Sequence, residues 1–270
     1  MLVAISSVSA SAATLIYEGF GQTAGSLDGK AGGTGLSGNW TEESGGAQDL
    51  TVGATGLTYG TLPTTGGSVS PSGAVAYSIG IGSTLSDAGL MDDGVELWFS
   101  YVFETIGSGN TIIGIGNSWH SFTNALDDDS NSDSIGMRVQ NSDDFAGTTI
   151  DNGTFVKTGN TNLALNETHL LVGRIVWGDG VDDTLTTYLP NSTLVLGSAV
   201  NSVSANLNQA SFDTLSIYSN NSNHTVDEIR FGASYNDVIT TTPTTTAIPE
   251  PSTMALLGLG VLALTVRRRC

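Results

Sequence analysis

Between residues 95 and 106 apolar and polar side chains alternate with a period of two. Val95, Leu97, Phe99, Tyr101 and Phe103 fall on one face, while Glu96, Ser100 and Glu104 share the other with Trp98 and Val102. That is the pattern of a strand crossing a core. Residues 169–177 and 184–189 repeat it around Gly178-Asp179-Gly180-Val181-Asp182-Asp183, which predicts a hairpin with a loop longer than two residues. Shorter apolar runs at 14–20, 50–52, 57–59, 74–79, 112–115, 135–140, 155–158, 212–218 and 225–231 are punctuated by Gly, Pro, Asn and Ser, as short strands are. Gly107-Ser108-Gly109-Asn110 predicts a turn returning 112–115 against 95–106, and the Gly- and Asn-rich segment 21–39 predicts a long surface loop. No apolar pattern with a helical period stands between these runs. The fold class is all-β: a β-sandwich or jelly roll of about a dozen short antiparallel strands over residues 14–239.

Composition supports this and narrows the function. The chain has 35 glycines and only 13% charged residues, which suits tight turns and pleated strands. Its net charge is −18, and without three arginines and one glutamate near the C-terminus it holds 5 basic and 25 acidic residues, a net of −20. Lys30, Arg138, Lys157, Arg174 and Arg230 are dispersed along the sequence. A nucleic-acid surface needs clustered cations, so nucleic acid is not an expected partner. The one cysteine is Cys270, so the body has no disulfide and no thiolate metal site.

Both ends read as addresses. Residues 1–13 contain a short apolar stretch, Leu2 to Ile5, and the A-x-A-like Ala10-Ser11-Ala12, the end of a signal peptide without its usual basic segment. A Thr/Pro linker at 240–247 leads to Pro249-Glu250-Pro251, an apolar run of 13 residues from Met254 to Val266, and Arg267-Arg268-Arg269. As a short hydrophobic helix the run would cover about 20 Å, against a bilayer core of about 30 Å. The arginines hold that end in the cytoplasm. Residues 248–270 closely resemble the PEP-CTERM sorting signal. The resemblance implies that Pro249, Glu250 and Pro251 are the sorting motif and that Arg267, Arg268 and Arg269 form a membrane-retention tail. It also implies an exosortase-type processing enzyme as partner, with transient inner-membrane anchoring before release to the cell surface or medium.

The body in turn resembles concanavalin A-like, laminin G-like sandwiches. The residues concerned are Tyr17-Glu18-Gly19-Phe20 with its Gly-rich loop, the hairpin around 177–189, and Val226-Asp227-Glu228-Ile229-Arg230-Phe231-Gly232. Glucanases of that fold carry a Glu-x-Asp-x-x-Glu strand, absent here. Glu96 and Glu104 share a face but stand roughly 26 Å apart at about 3.3 Å per residue, too far for a paired acid and nucleophile. Asp227 and Glu228, being adjacent, are expected on opposite faces. Only His120, His169 and His224 are available as histidines.

Acidic loops are the candidate metal sites. Asp127, Asp129, Asn131 and Asp133 form one, and Asp179, Asp182 and Asp183 another, with hard oxygen ligands suited to calcium. The first has the opening spacing of an EF-hand loop, but Ser134-Ile135-Gly136 displaces its glycine, and a solvated acidic loop is the competing reading. Trp40, Trp119 and Trp177 stand in or beside loops, as candidates for stacking on sugar rings. The expected protein is an exported, non-enzymatic structural or glycan-binding component of an extracellular polysaccharide or biofilm matrix. The alternatives are a glucanase-like enzyme on the same fold and a ligand-free scaffold.

Overall fold

A computed structural model describes residues 13–106, 109–117, 133–140, 145–152, 156–158, 163–220 and 224–240. The first half of the chain contributes β1 (Thr14–Glu18), β2 (Gly25–Ser26), β3 (Ser37–Ser44), β4 (Leu50–Gly53), β5 (Ser68–Pro71), β6 (Val75–Gly80), β7 (Glu96–Glu104) and β8 (Asn110–Gly116). The second contributes β9 (Asp133–Gln140), β10 (Phe145–Asn152), β11 (Val156–Thr158), β12 (Thr168–Val176), β13 (Asp183–Tyr188), β14 (Ala199–Ala205), β15 (Thr214–Asn220) and β16 (Thr225–Gly232). A single helical turn, Thr84–Asp87, is the α-helix of the described residues.

The strands form two antiparallel sheets, a β-sandwich. A nine-stranded sheet runs β14-β13-β12-β7-β16-β5-β4-β2, with β1 also paired to β16; a seven-stranded sheet runs β11-β10-β9-β8-β15-β6-β3. Leu97, Phe99, Tyr101 and Phe103 of β7 face the other sheet and are fully buried with Ile113, Ile115, Met137 and Ile217. The alternation in the sequence is thus the alternation of the sheet's two faces. Phe99 and Phe231, opposite each other on β7 and β16, stack with centroids 5.2 Å apart and planes 7° from parallel. The Tyr101 hydroxyl crosses the core to donate to Met137 O at 3.2 Å.

The hairpin predicted between 169–177 and 184–189 is present as β12 and β13. The one predicted through residues 107–110 is not: β7 and β8 lie in different sheets. Both edges of β7 are taken, one by β12 over nine residue pairs from Thr168↔Glu104 to Val176↔Glu96 and the other by β16, so the chain crosses to the opposite layer. Residues 57–59 are not a strand either. The Leu57 N–H donates to Asp227 instead of a neighbouring strand, and Leu57 and Tyr59 pack on the outer face of the nine-stranded sheet. Conversely β2, β3, β5, β10 and β14 form where no strand was predicted, β2 and the start of β3 within the segment 21–39 that was expected to be a surface loop. The C-terminal helix and residues 248–270 lie outside the described residues.

Truncating the stacked pair tests the core. Phe231→Ala is expected to cost about 3–5 kcal/mol, read as a lower denaturation midpoint, whereas Thr186→Val on the outer face should change stability by less than about 1 kcal/mol.

Candidate functional site

A bulge in β16 sets the geometry of one end of the molecule. Pairing with β7 steps from Asp227↔Val102 to Arg230↔Ser100, so β16 carries one extra residue, and Glu228 takes a left-handed φ of 57°. Bulges re-aim side chains in this way. Asp227 and Glu228 therefore do not diverge to opposite faces as their adjacency suggested. Both reach the loop between β4 and β5: Asp227 Oδ2 accepts the Leu57 N–H at 2.7 Å, and Glu228 Oε1 accepts the Thr65 N–H at 2.6 Å. Asp227 Oδ1 also takes the Glu228 N–H at 2.7 Å. Glu228 Oε1 takes a second bond from the Tyr17 hydroxyl at 3.0 Å, and its Oε2 pairs with Arg230 Nη2 at 2.5 Å. Arg230 Nη2 also donates to Pro63 O, and the guanidinium lies 5.4 Å from the centre of the Tyr17 ring.

Asp227, Glu228 and Arg230 are fully buried. Burial, reinforced by the neighbouring Glu228 charge, pushes the Asp227 carboxyl up to about 8 in spite of its two backbone donors. Burial also raises Glu228, against the pull of Arg230, and lifts the Tyr17 hydroxyl to about 12. Groups sealed from solvent cannot meet a polymeric substrate, so this cluster is a clamp between sheet and loop.

A third buried carboxylate works beside this pair. Glu18, at the end of β1, accepts from Phe20 N at 2.8 Å and Gln22 Nε2 at 3.1 Å on Oε1, and from Gly33 N at 2.9 Å and Trp40 Nε1 at 3.1 Å on Oε2. Trp40 is therefore a core residue, 1% exposed, and not a stacking platform. Trp177 is likewise 1% exposed, with Nε1 donating to Leu90 O at 2.6 Å. Trp119 lies outside the described residues, as do Asp127, Asp129 and Asn131.

Among the predicted metal ligands, Asp133 begins β9 and accepts the Asn208 N–H at 2.6 Å. Asp183 is buried, with its two oxygens taken at 2.8 Å by the N–H groups of Gly178 and Leu207, which closes the loop after β12. Asp179 and Asp182 are exposed in that loop. Among the described residues no three His, Cys, Asp or Glu side chains converge to hold a metal.

The outer face of the nine-stranded sheet is divided. Near β16 it is covered, with Val102, Leu170 and Val172 packed beneath Leu57, Tyr59, Leu62, Val238 and Ile239. Toward β14 it is open. There Arg174 on β12 is opposite Thr186 on β13, and Thr186 opposite Ser202 on β14, while Trp98 on β7, opposite Arg174, is only 8% exposed and packs in the covered cluster against Tyr188 and Tyr235. One step along, Glu96, Val176, Thr184 and Ser204 repeat the row. The hydroxyls of Thr184 and Ser204 are 2.8 Å apart, and those of Thr186 and Ser202 3.3 Å. Arg174 pairs with Glu96, whose carboxyl it holds below the usual range, and both side chains are about two-fifths exposed at 37% and 41%. Trp98 closes the row at the covered side, stacked on Tyr188 at 6.1 Å and beneath the Arg174 guanidinium at 5.9 Å. The sequence reading placed Trp98 on the polar face of its strand without naming it as a candidate. Its position there was the available signal, since an indole facing away from the core requires a second layer or a ligand.

The PEP-CTERM protein-sorting motif matches residues 247–269. The chain carries a PEP-CTERM sorting motif. The motif implies export and sorting to the surface, and processing by a membrane-associated enzyme. Among the described residues no helix is long and apolar enough to cross a membrane. No curated protein matches the sequence. Solved structures similar to the chain include the endo-β-1,4-glucuronan lyase from the fungus Trichoderma reesei, 12% identical with a TM-score of 0.46, covering 84% of this chain and 98% of that one. The alginate lyase Aly36B is 12% identical with a TM-score of 0.43, covering 80% and 96%. Lectin I-B4 from Griffonia simplicifolia is 10% identical with a TM-score of 0.38, covering 70% and 94%.

The raised Asp227 carboxyl gives a pH dependence with a defined sign. Between the ordinary carboxylate range and about 8, the folded chain holds a proton that the unfolded chain has released. Stability from this group is therefore greatest in mild acid and falls as pH rises toward 8, with a slope of up to about 1.4 kcal/mol per unit. Repulsion within an acidic chain acts in the same direction, so the variant isolates the group. Asp227→Asn should flatten the decline of Tm between pH 5 and pH 8. It should also carry a pH-independent cost of about 1–3 kcal/mol, because an amide cannot accept at both positions.

Proposed function

We propose that this is an exported, surface-sorted, non-enzymatic protein on a concanavalin A-like, laminin G-like sandwich. It binds a polysaccharide of the extracellular or biofilm matrix along the open part of the nine-stranded sheet. The observation that carries the reading is the row Arg174–Thr186–Ser202 with its neighbour Glu96–Val176–Thr184–Ser204. Same-face positions on a sheet repeat at roughly 6.6 Å along a strand and about 4.8 Å between strands. That grid presents hydroxyls, each with one donor and two acceptor positions, beside a half-exposed charged pair. A polyhydroxylated chain offers complementary groups along its length.

The non-enzymatic part of the reading is supported by the state of the carboxylates. Asp227, Glu228 and Glu18 are buried and hydrogen-bonded to structure. Glu96 is open but already paired with a cation, which suits it to hold a hydroxyl and not to donate a proton.

Affinity electrophoresis and a glycan array test the reading on the purified protein. At least one matrix polysaccharide should retard it. The combined change Thr184→Val, Thr186→Val, Ser202→Ala and Ser204→Ala should weaken that retention by about tenfold or more, a loss of roughly 1.4 kcal/mol, at unchanged Tm. Retention equal to wild type in this variant would contradict the assigned surface, and reproducible release of reducing ends from any bound polymer would contradict the non-enzymatic assignment.

A further inference from the structure

A separate cleft of about 420 Å³ opens beside β1, away from the hydroxyl rows. Its size is within the range of small-molecule sites, about 300–1,000 Å³. Three backbone segments line it, residues 17–19 with 21–22, 31–34 and 65–66, and each is fixed by one of the buried carboxylates. Glu18 ties Phe20 and Gln22 on one side to Gly33 on the other. Glu228 holds the third segment through the Thr65 N–H, and the Gly67 N–H donates to Phe20 O at 3.0 Å to complete the enclosure.

The segments approach so closely that side chains would not fit. A Cβ on Gly33 would lie 2.1 Å from Tyr17 O, and one on Gly66 would lie 2.0 Å from Gly19 O. Phe20, next to the cleft, is held at a φ of 47°, as Glu228 is at 57°. Left-handed non-glycine residues cost of order 1–3 kcal/mol each and gather at sites whose geometry the surrounding structure enforces. Two of them, with two buried carboxylates, are spent on shaping this one space.

The chemistry of the lining selects the ligand. No Lys, Arg or His lines the cleft, and Glu18 contributes its only carboxylate. That carboxylate is buried and its two oxygens already take four donors, so an anion finds no counter-charge and a cation finds no open carboxylate oxygen. What remains is uncharged: the Tyr17 hydroxyl, which donates to Glu228 Oε1 at 3.0 Å and is bonded to Thr65 Oγ1 at 2.6 Å, the Thr34 and Thr65 hydroxyls, and glycine backbone. Uncharged donors and acceptors on a rigid frame match a compact, uncharged, hydroxyl-rich molecule.

We propose that this cleft is a second ligand site, which takes one neutral sugar unit, free or at the end of a chain. It stands on the cleft's own geometry and does not depend on the open sheet face. Gly21 provides a direct test. It lines the cleft, a Cβ there meets nothing within 4 Å, and its backbone is not in the left-handed region, so a large side chain can be added without straining the fold.

Saturation-transfer NMR on the purified protein would use glucose, galactose, mannose and N-acetylglucosamine, with glucuronate as the charged comparator. The proposal expects at least one neutral sugar to bind at millimolar concentration. Gly21→Trp should weaken it by about tenfold or more and Gly21→Ala by less than about threefold, both at wild-type Tm. The four-residue change on the hydroxyl rows should leave this binding intact, which separates failure here from failure of the sheet-face reading. Absence of neutral-sugar binding, preference for glucuronate, or binding unchanged in a folded Gly21→Trp protein would each overturn the proposal.

Discussion

Three carboxylates withdrawn from water hold the parts of this protein that sheet hydrogen bonding cannot reach. Glu18 gathers four donors from two loops and an indole. Asp227 and Glu228 pin the loop between β4 and β5 at Leu57 and Thr65. Burying a carboxylate is costly, and it is tolerated where hydrogen bonds replace the lost water. Bonds to charged groups contribute about 1.5–3 kcal/mol each. Among the described residues Arg230 is the cation paired with this group, bound to Glu228 and to Pro63 O. With its only cysteine at Cys270, the chain forms no internal disulfide, and these polar clamps hold the loops.

The clamps have consequences on both sides of the nine-stranded sheet. By holding residues 57–65 down, they cover the apolar half of the outer face, where Val102, Leu170 and Val172 would otherwise meet water. The remaining half is then left as a hydroxyl surface ending on Trp98, the area to which we assign polysaccharide. The same clamps shape the cleft beside β1. One set of interactions thus closes one part of the surface and preforms two others, and preformed sites lose less conformational entropy on binding.

Much of this was legible in the sequence where side chains alternate strongly. β7 and the β12–β13 hairpin follow directly from period-two runs of large apolar residues, and the tail is marked by its Pro-Glu-Pro, apolar run and arginines. β3 and β14 were not seen, because Ser37-Gly38-Asn39 and Asn201-Ser202-Val203-Ser204 are the residues of turns and take strand conformation only through their neighbours. The supposed β7–β8 hairpin failed because a turn signal says that the chain reverses, not which layer it enters. The bulge at Glu228 left no mark in the pattern, so the meeting of Asp227 with Glu228 on one loop could not be read, and Trp40 and Trp177 looked exposed only because glycine-rich segments surround them. Trp98 was visible on the polar side of its strand, and was the more informative tryptophan.

The account stands on the claim that carboxylates lock these loops to the sheets. Native-state hydrogen exchange at the amides of Phe20, Gly33, Leu57 and Thr65 measures it directly, since all four donate to Glu18, Asp227 or Glu228. The account predicts protection close to that of the central strand β7, because opening any of them would leave a buried carboxyl group without its donor. Exchange of these four amides at the rate of an open loop, while β7 remains protected, would contradict it.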